Sequence, residues 1–292
     1  MVDDFKLTPA VADAVRVTQY LSLASATLYL YDLLLTLHLE IDLLWPSKWT
    51  LIKVLYLLQR YLPLLDTVVI MMSWQFGEIS NIQTCKTLFM GFGWSCLIGM
   101  TLSEVVLTCR TLAVWGNMTR IRIGLFLFSL SCMIPLYWTM AKESLAITYH
   151  SIPIPGMYCL ATAGPGIRYL CWTLLTVYDL GLLILITTRA FRSRNSGRAI
   201  RRSTLSQVVY QDGVLYYLYL VALSTMNIAL ILSLPGNFAT LLVTNIQRVS
   251  YSILTSRVVL HIRKQAYQTQ VVMISLHPLD ISAEAELRRS EV

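Results

Sequence analysis

Seven apolar stretches run through the 292-residue chain, and they constrain its fold more than any other feature. They lie at about 17–37, 51–72, 87–113, 121–140, 167–188, 208–234 and 237–260. Each is close to the ~20 residues that an α-helix needs to cross the hydrocarbon core of a bilayer. Only 13% of the residues are charged, whereas a soluble domain carries about 25%. The sequence therefore predicts an all-α polytopic membrane protein with seven transmembrane helices.

These spans leave little chain for another domain. We expect a short outer segment over residues 1–16, a transmembrane domain over 17–264 and a cytoplasmic tail over 265–292. The first residues lack the basic flank and small-residue cleavage site of a signal peptide, so the first span is expected to remain as an anchor. The predicted location is the plasma membrane or an endomembrane.

Lys and Arg residues are divided unevenly between the two sides of the predicted bundle. The side of the N-terminus has five: Lys6, Arg16, Lys86, Lys142 and Arg168. The other side has fifteen: Lys48, Lys53, Arg110, Arg120, Arg122, Arg189, Arg192, Arg194, Arg198, Arg201, Arg202, Arg263, Lys264, Arg288 and Arg289. Because the more basic connections stay in the cytoplasm, we expect the N-terminus outside and the C-terminus inside.

Six of the fifteen form one basic loop, which consists of Arg189, Arg192, Arg194, Arg198, Arg201 and Arg202. The loop has two interpretations: a topology signal only, or a contact for anionic lipid or a cytoplasmic protein. A nucleic-acid partner is not expected, because the basic residues are not arranged as a stripe with interleaved aromatics.

Two of the six cysteines are predicted to lie on the outer side. Cys85 stands at the outer start of span 3 and Cys159 in the long outer connection, where disulfides persist. They form either a bridge that holds this connection over the bundle or two unpaired thiols. The other four cysteines lie within spans and are expected to pack as small apolar residues.

Ionisable residues inside the spans are the candidate functional residues, because charges in hydrocarbon usually face the bundle interior and find partners there. At ~1.5 Å per residue, Asp32 and Arg60 reach the same depth near mid-membrane, which predicts an ion pair between spans 1 and 2. Asp179 and Arg248 also fall near mid-membrane and are expected to pair or to line one cavity.

Three further groups lie nearer the cytoplasm and one lies nearer the outside. Glu104, Arg110 and Arg257 share a depth that allows a second polar cluster, whereas Asp66 is expected close to the outer face. Proton relay, ligand counter-ion, conformational latch and plain packing are all open roles for these groups. Span 3 also carries small residues at every fourth position from Gly91 to Ser103, which allows another helix to approach closely.

Catalytic signatures are lacking in the sequence. The four histidines are scattered outside the spans or at their ends, and neither His-Glu-x-x-His nor Gly-x-Ser-x-Gly occurs. We therefore expect no enzyme activity, no bound metal and no cofactor.

The N-terminal spans carry a motif that extends from Tyr31-Asp32-Leu33-Leu34-Leu35-Thr36-Leu37 through Glu40 and Trp45-Pro46-Ser47-Lys48-Trp49 to Leu58-Gln59-Arg60-Tyr61-Leu62-Pro63. Over about residues 20–68 this resembles the N-terminal domain of unknown function in a large group of fungal multi-pass membrane proteins. The resemblance implies a seven-span fungal integral membrane protein and no particular activity.

A weaker resemblance is to G protein-coupled receptors. Cys85, Cys159 and an Arg at position 110, twenty-five residues after Cys85, reproduce an arrangement found in rhodopsin-like receptors. Cys109 stands where an acidic residue is expected, and span 7 has neither Asn-Pro-x-x-Tyr nor a Lys. This resemblance implies receptor-like topology without membership.

We therefore expect a receptor-like or sensor-like membrane protein. The alternative is a transporter or channel for ions or small solutes that uses the intramembrane Asp and Arg groups. The chain shows no internal repeat or paired broken helices of the kind that many transporters have.

Overall fold

The computed structural model describes residues 9–74, 81–116, 118–154, 157–162, 168–195, 204–233 and 244–268. This part of the chain forms seven helices and one β-hairpin. The helices are α1 (Pro9–Leu43), α2 (Leu51–Trp74), α3 (Ile82–Val114), α4 (Thr119–Ala146), α5 (Arg168–Asn195), α6 (Thr204–Ser233) and α7 (244–268). Each predicted apolar stretch contributes to one of them, so the order of the seven helical segments is confirmed.

Four helical segments are long and apolar enough to cross a membrane: Arg16–Leu43, Ile82–Val114, Thr119–Ala146 and Leu170–Arg192. A shorter apolar stretch, Val214–Leu230, lies in α6. The apolar sequences of α2 and α7 are interrupted by charged residues, and the bundle buries Lys53, Arg60 and Asp66 of α2 and Arg248 of α7. The fold is that of a helical integral membrane protein.

The all-α prediction is wrong in the connection after α4, where β1 (Thr148–Ile154) and β2 (Met157–Thr162) form an antiparallel hairpin. Thr148 pairs with Thr162, and Ser151 pairs with Cys159. The reason is local, because the connection contains β-branched and aromatic residues such as Thr148, Tyr149 and Ile152, which favour strands. The hairpin packs against α3, where the rings of Phe89 and Tyr149 meet edge to face at 6.1 Å.

The bundle buries polar and charged side chains beside its apolar core, and its outer surface carries large apolar side chains. Its most exposed large side chains include Leu34, Ile134 and Ile184 on three different helices. Its fully buried side chains include Arg60 and Arg248. Soluble proteins show the opposite distribution, whereas polar groups of membrane proteins turn toward the bundle interior.

Helix α7 connects the rest of the bundle through polar contacts. Asn245 donates to Ser22 of α1 at 2.8 Å, and Gln247 donates to Ser224 of α6 at 2.9 Å. At the other end, Arg263 donates to Ser47 in the turn between α1 and α2 at 2.8 Å. Helix α7 also supplies Arg248 and Arg257, which pair with acidic residues of α2 and α1.

Candidate functional site

Arg60 of α2 is the centre of a buried ionic network. Its Nη1 lies 3.3 Å from Asp32 Oδ2, and its Nε lies 3.2 Å from Glu40 Oε2. Its Nη2 donates to Thr36 Oγ1 and, at 3.4 Å, to the Leu33 carbonyl. The guanidinium is fully buried, and its four hydrogen bonds all go to helix α1. The predicted ion pair between Asp32 and Arg60 is confirmed.

The acceptors for Arg60 come from one face of α1. Asp32, Thr36 and Glu40 follow at intervals of four residues, and residues with that spacing lie above one another on a helix. Glu40 is also the acceptor for two hydroxyls of α2, from Tyr61 at 2.8 Å and Tyr56 at 3.4 Å. The predicted span ended at residue 37, but the helix continues to Leu43 and brings Glu40 into the network.

Arg257 of α7 completes the charge balance. Its Nε lies 2.7 Å from Asp32 Oδ1, so Asp32 bridges two guanidiniums. Two carboxylates, Asp32 and Glu40, thus face two guanidiniums, Arg60 and Arg257. A buried ionic group is tolerated when it is paired and hydrogen-bonded. This four-residue set, the neutral network, has no net charge.

Pro63 explains a further contact between α2 and α7. Proline has no N–H, so the carbonyl four residues earlier loses its helical hydrogen bond. That carbonyl belongs to Gln59, and Ser252 Oγ of α7 donates to it at 3.3 Å. The next carbonyl, that of Arg60, accepts from the Tyr29 hydroxyl of α1. The proline therefore frees the Gln59 carbonyl, which bonds α2 to α7.

A second ion pair joins α2 to α7. Arg248 Nε lies 3.1 Å from Asp66 Oδ2, and Ser95 of α3 donates to the same carboxylate. The guanidinium of Arg248 occupies the place where a side chain at Gly99 would lie. The predicted small-residue face of span 3 thus accommodates an arginine. Of the two alternatives for Asp179 and Arg248, pairing is wrong, because Arg248 turns toward α2 and α3 and pairs with Asp66; the shared cavity stays a prediction.

Asp179 belongs instead to a third polar group, which we call the carboxyl pair. Its carboxylate accepts from Tyr251 of α7 at 2.5 Å and from Ser224 of α6 at 3.1 Å. Glu104 of α3 is 1% exposed, and its carboxyl group lies within hydrogen-bonding reach of Asp179. None of the ion pairs among the described residues includes either of these two carboxyls.

The predicted cluster of Glu104, Arg110 and Arg257 does not form. Arg257 pairs with Asp32, Glu104 meets Asp179, and Arg110 lies beside Tyr217. Equal depth in the membrane does not bring groups together when they point to different sides of the bundle. The sequence reasoning also missed Tyr251 and Ser224, which carry no charge to draw attention to them.

The remaining candidate residues are only partly within the described chain. Cys85 is disulfide-bonded, and Cys96, Cys109, Cys132 and Cys171 are free. The side chain of Cys159, its predicted partner, lies outside the described residues, so the pairing stays a prediction.

In the basic loop, Arg192 is exposed and Arg189 lies over the ring of Trp115 at 5.4 Å. The side chain of Arg194 and all of residues 198, 201 and 202 lie outside the described part.

Metal chemistry finds no support in the described part of the chain, where no group of three or more His, Cys, Asp or Glu is placed to hold an ion. What the interior groups do chemically is hold helices together and, at the carboxyl pair, hold charge. The ion pairs of Arg60 that hold helices together lie between α1 and α2.

Comparison with known proteins points to the same segment. Residues 20–65 match a family of unknown function, DUF6533. No curated protein matches the chain. The matched residues include Asp32, Glu40 and Arg60, so most of the neutral network lies within the matched segment.

Proposed function

We propose that the chain is a receptor-like or sensor-like seven-helix protein with its N-terminus outside and its C-terminus in the cytoplasm. The observation that carries the proposal is the neutral network. Its central guanidinium is bonded to two carboxylates, and all three groups are at most 2% exposed. Such a network holds the helices in one arrangement and so acts as a latch. A ligand or partner that binds another arrangement more tightly shifts the equilibrium toward that arrangement.

The same observation argues against a conducting path through these charges. Groups that relay ions alternate between partners and line water-filled cavities. Here the donors of Arg60 are used by Asp32, Glu40, Thr36 and a backbone carbonyl. Breaking a buried pair by removing one partner costs about 3–5 kcal/mol, so opening a path through this network is costly.

Both ends of the bundle have compact covers, which suits a protein that detects rather than conducts. At the predicted outer end, the hairpin packs on α2 and α3. At the predicted cytoplasmic end, Lys53 Nζ donates to the carbonyls of Trp45 and Ser47 at 3.0 and 2.8 Å. Lys53 also lies 4.7 Å from the Trp49 ring. A ligand would bind at the hairpin, and the basic loop would change its contact with a cytoplasmic partner in response.

The basic loop is the proposed output surface, with a cytoplasmic protein or anionic lipid as its partner. The prediction of a loop from Arg189 onward is corrected by the structure, because Arg189, Arg192 and Arg194 lie in the last turns of α5, the helix that carries Asp179 and contacts both α4 and α6. A movement of α5 would therefore change how the loop is presented. The proposal assigns no catalytic role to the chain.

A transporter is the second candidate, and one observation favours it. The carboxyl pair is buried without a cationic partner among the described residues, which is typical of groups that exchange protons or bind cations. This reading requires a hydrated route to the pair from both sides of the membrane.

Affinity purification from mild detergent tests the receptor-like proposal. The chain is purified in its natural form and with all six arginines of the basic loop replaced by Gln. A control variant carries Arg288→Gln and Arg289→Gln, which remove basic charge from the predicted tail. We expect a cytoplasmic protein to accompany the natural chain and the control but not the loop variant. The same proteins with all three chains, or none with any, would contradict the proposal.

A further inference from the structure

The carboxyl pair contains a contact that two ionised carboxylates do not make. Glu104 of α3 and Asp179 of α5 lie within hydrogen-bonding reach of each other, and both are almost fully buried. Carboxylates only accept hydrogen bonds, whereas a protonated carboxyl group also donates one. Two adjacent buried carboxyl groups do not both ionise.

The hydrogen bonds around the pair are unequal. Asp179 Oδ2 accepts from Tyr251 and from Ser224, so it has the donors that an ionised carboxylate needs. Both oxygens of Glu104 are buried without a well-formed hydrogen bond from the described residues, and the hydroxyl near them, that of Tyr251, is already bonded to Asp179 at 2.5 Å. The neighbours therefore distinguish the two groups, with Asp179 suited to carry the charge and Glu104 suited to be neutral.

In the described part of the chain, no cation forms an ion pair with Glu104 or Asp179. The titratable groups that face Glu104 are Asp179 and Tyr178 from α5, Cys132 from α4, Tyr251 from α7 and Tyr217 from α6. On α3 itself, Arg110 lies six residues further along and acts, like Glu104, on the Tyr217 hydroxyl, but the ion pairs of the described chain do not join it to Glu104. On α7, Arg248 is directed at Asp66 on another side of the bundle.

The Gln247 side chain, next to the carboxyl pair, also lacks a hydrogen-bond donor from the described residues. Gln247 of α7 is fully buried, and its Nε2 donates at 2.9 Å to the same Ser224 that donates to Asp179. The other atom of that amide, Oε1, receives no hydrogen bond from the described residues. Excess acceptors therefore surround this site, which suits a proton or a hydrated proton.

We propose that Glu104 and Asp179 form a proton-binding site, in which Glu104 holds one proton and donates it to Asp179. The shared proton joins α3 to α5, and the Tyr251 and Ser224 hydroxyls tie α7 and α6 to the same carboxylate. Loss of the proton leaves two like charges in contact and separates α3 from α5. The site makes the helix arrangement sensitive to pH. This inference goes beyond the proposed function, since a receptor and a transporter both accommodate it.

Unfolding measured as a function of pH tests the site in the full-length protein in detergent. The folded state holds a proton that the unfolded chain releases at neutral pH, so stability falls as pH rises. One such proton raises the unfolding equilibrium constant by up to tenfold per pH unit. Glu104→Gln keeps the shape and stays neutral, so we expect this variant to lose that part of the slope and to remain folded.

Glu40→Gln is the matched control, because Glu40 is equally buried but has the paired guanidinium of Arg60. We expect Glu40→Gln to lower stability at every pH and to keep the natural slope. Equal slopes in the natural chain and in Glu104→Gln would overturn the proposal. A second result would also overturn it: NaCl stabilises the natural protein more than choline chloride does, and Glu104→Gln abolishes this difference. That result would assign the site to a metal cation.

Infrared spectroscopy of the natural protein reads the proton directly and does not depend on whether a variant folds. A protonated carboxyl group buried away from water gives its own carbonyl band, which shifts in D2O. We expect that band at neutral pH, and we expect Glu104→Gln to remove it. Absence of the band from the folded natural protein at neutral pH would overturn the proposal.

Discussion

Replacing Arg60 by Met tests whether the neutral network holds the bundle together. The change removes the guanidinium that pairs with Glu40 Oε2 at 3.2 Å and with Asp32 Oδ2 at 3.3 Å. Asp32 keeps Arg257 at 2.7 Å, but Glu40 keeps only the hydroxyls of Tyr56 and Tyr61. One buried carboxylate is then uncompensated, so we expect a loss of about 3–5 kcal/mol in the free energy of unfolding.

A double-mutant cycle separates this charge effect from simple loss of packing. Glu40→Gln alone leaves a surplus positive charge, whereas Arg60→Met with Glu40→Gln leaves Asp32 and Arg257 balanced. We therefore expect the double variant to lose less stability than the two single losses combined, with a coupling of ~2–3 kcal/mol. Arg257→Met is the control, because its side chain is 45% exposed and exposed pairs contribute about 0–1 kcal/mol.

Thermal unfolding with a thiol-reactive fluorophore measures these differences, since Cys96 and Cys132 are free and buried until the bundle opens. A loss of this size lowers the midpoint by on the order of 10 °C. Additive losses in the cycle, or an Arg60→Met midpoint no lower than that of Arg257→Met, would refute the reasoning.

Three further predictions address other contacts. Gly99→Ala places a methyl group where the Arg248 guanidinium lies, so we expect it to lower the thermal unfolding midpoint. The control is Gly91→Ala, because a methyl group at Gly91 has no other atom within 4 Å. Equal midpoints for the two variants would contradict the contact between Gly99 and Arg248. Lys53→Met removes two hydrogen bonds to the turn before α2, so we expect faster limited proteolysis of that turn. The control is Lys48→Met, because Lys48 is exposed. Equal cleavage rates for the two variants would contradict a rigid turn. Mass spectrometry of unreduced peptides should find Cys85 linked to Cys159, and a link from Cys85 to any other cysteine would disprove that pairing.

The pair between Asp32 and Arg60 was predictable because two rules act on the same residues. Charges within a span need partners, and the helical rise puts these two groups at one depth on consecutive helices. Consecutive helices joined by a short turn are usually neighbours. Depth and adjacency were therefore both available from the sequence.

The partners of Arg248 and Asp179 were not predictable in this way. Depth along a helix does not say which side of it a residue occupies in the assembled bundle, and α7 has neighbours that are distant in sequence. Arg248 reaches Asp66 because an arginine side chain is long and Gly99 leaves room for it. Glu40 was missed as a buried partner because apolar composition underestimates how far a helix continues once its polar residues are paired.

Flux through sealed vesicles tests the central claim, that the interior charges form a closed latch and not a path. The purified protein is reconstituted with a pH-sensitive dye inside, and proton and cation gradients are imposed in turn. Fluorophore labelling of Cys96 verifies that the reconstituted protein is folded, because that thiol is buried. We predict that the gradients decay no faster than in protein-free vesicles. Saturable flux that Asp32→Asn or Glu104→Gln abolishes would contradict the account and establish transport.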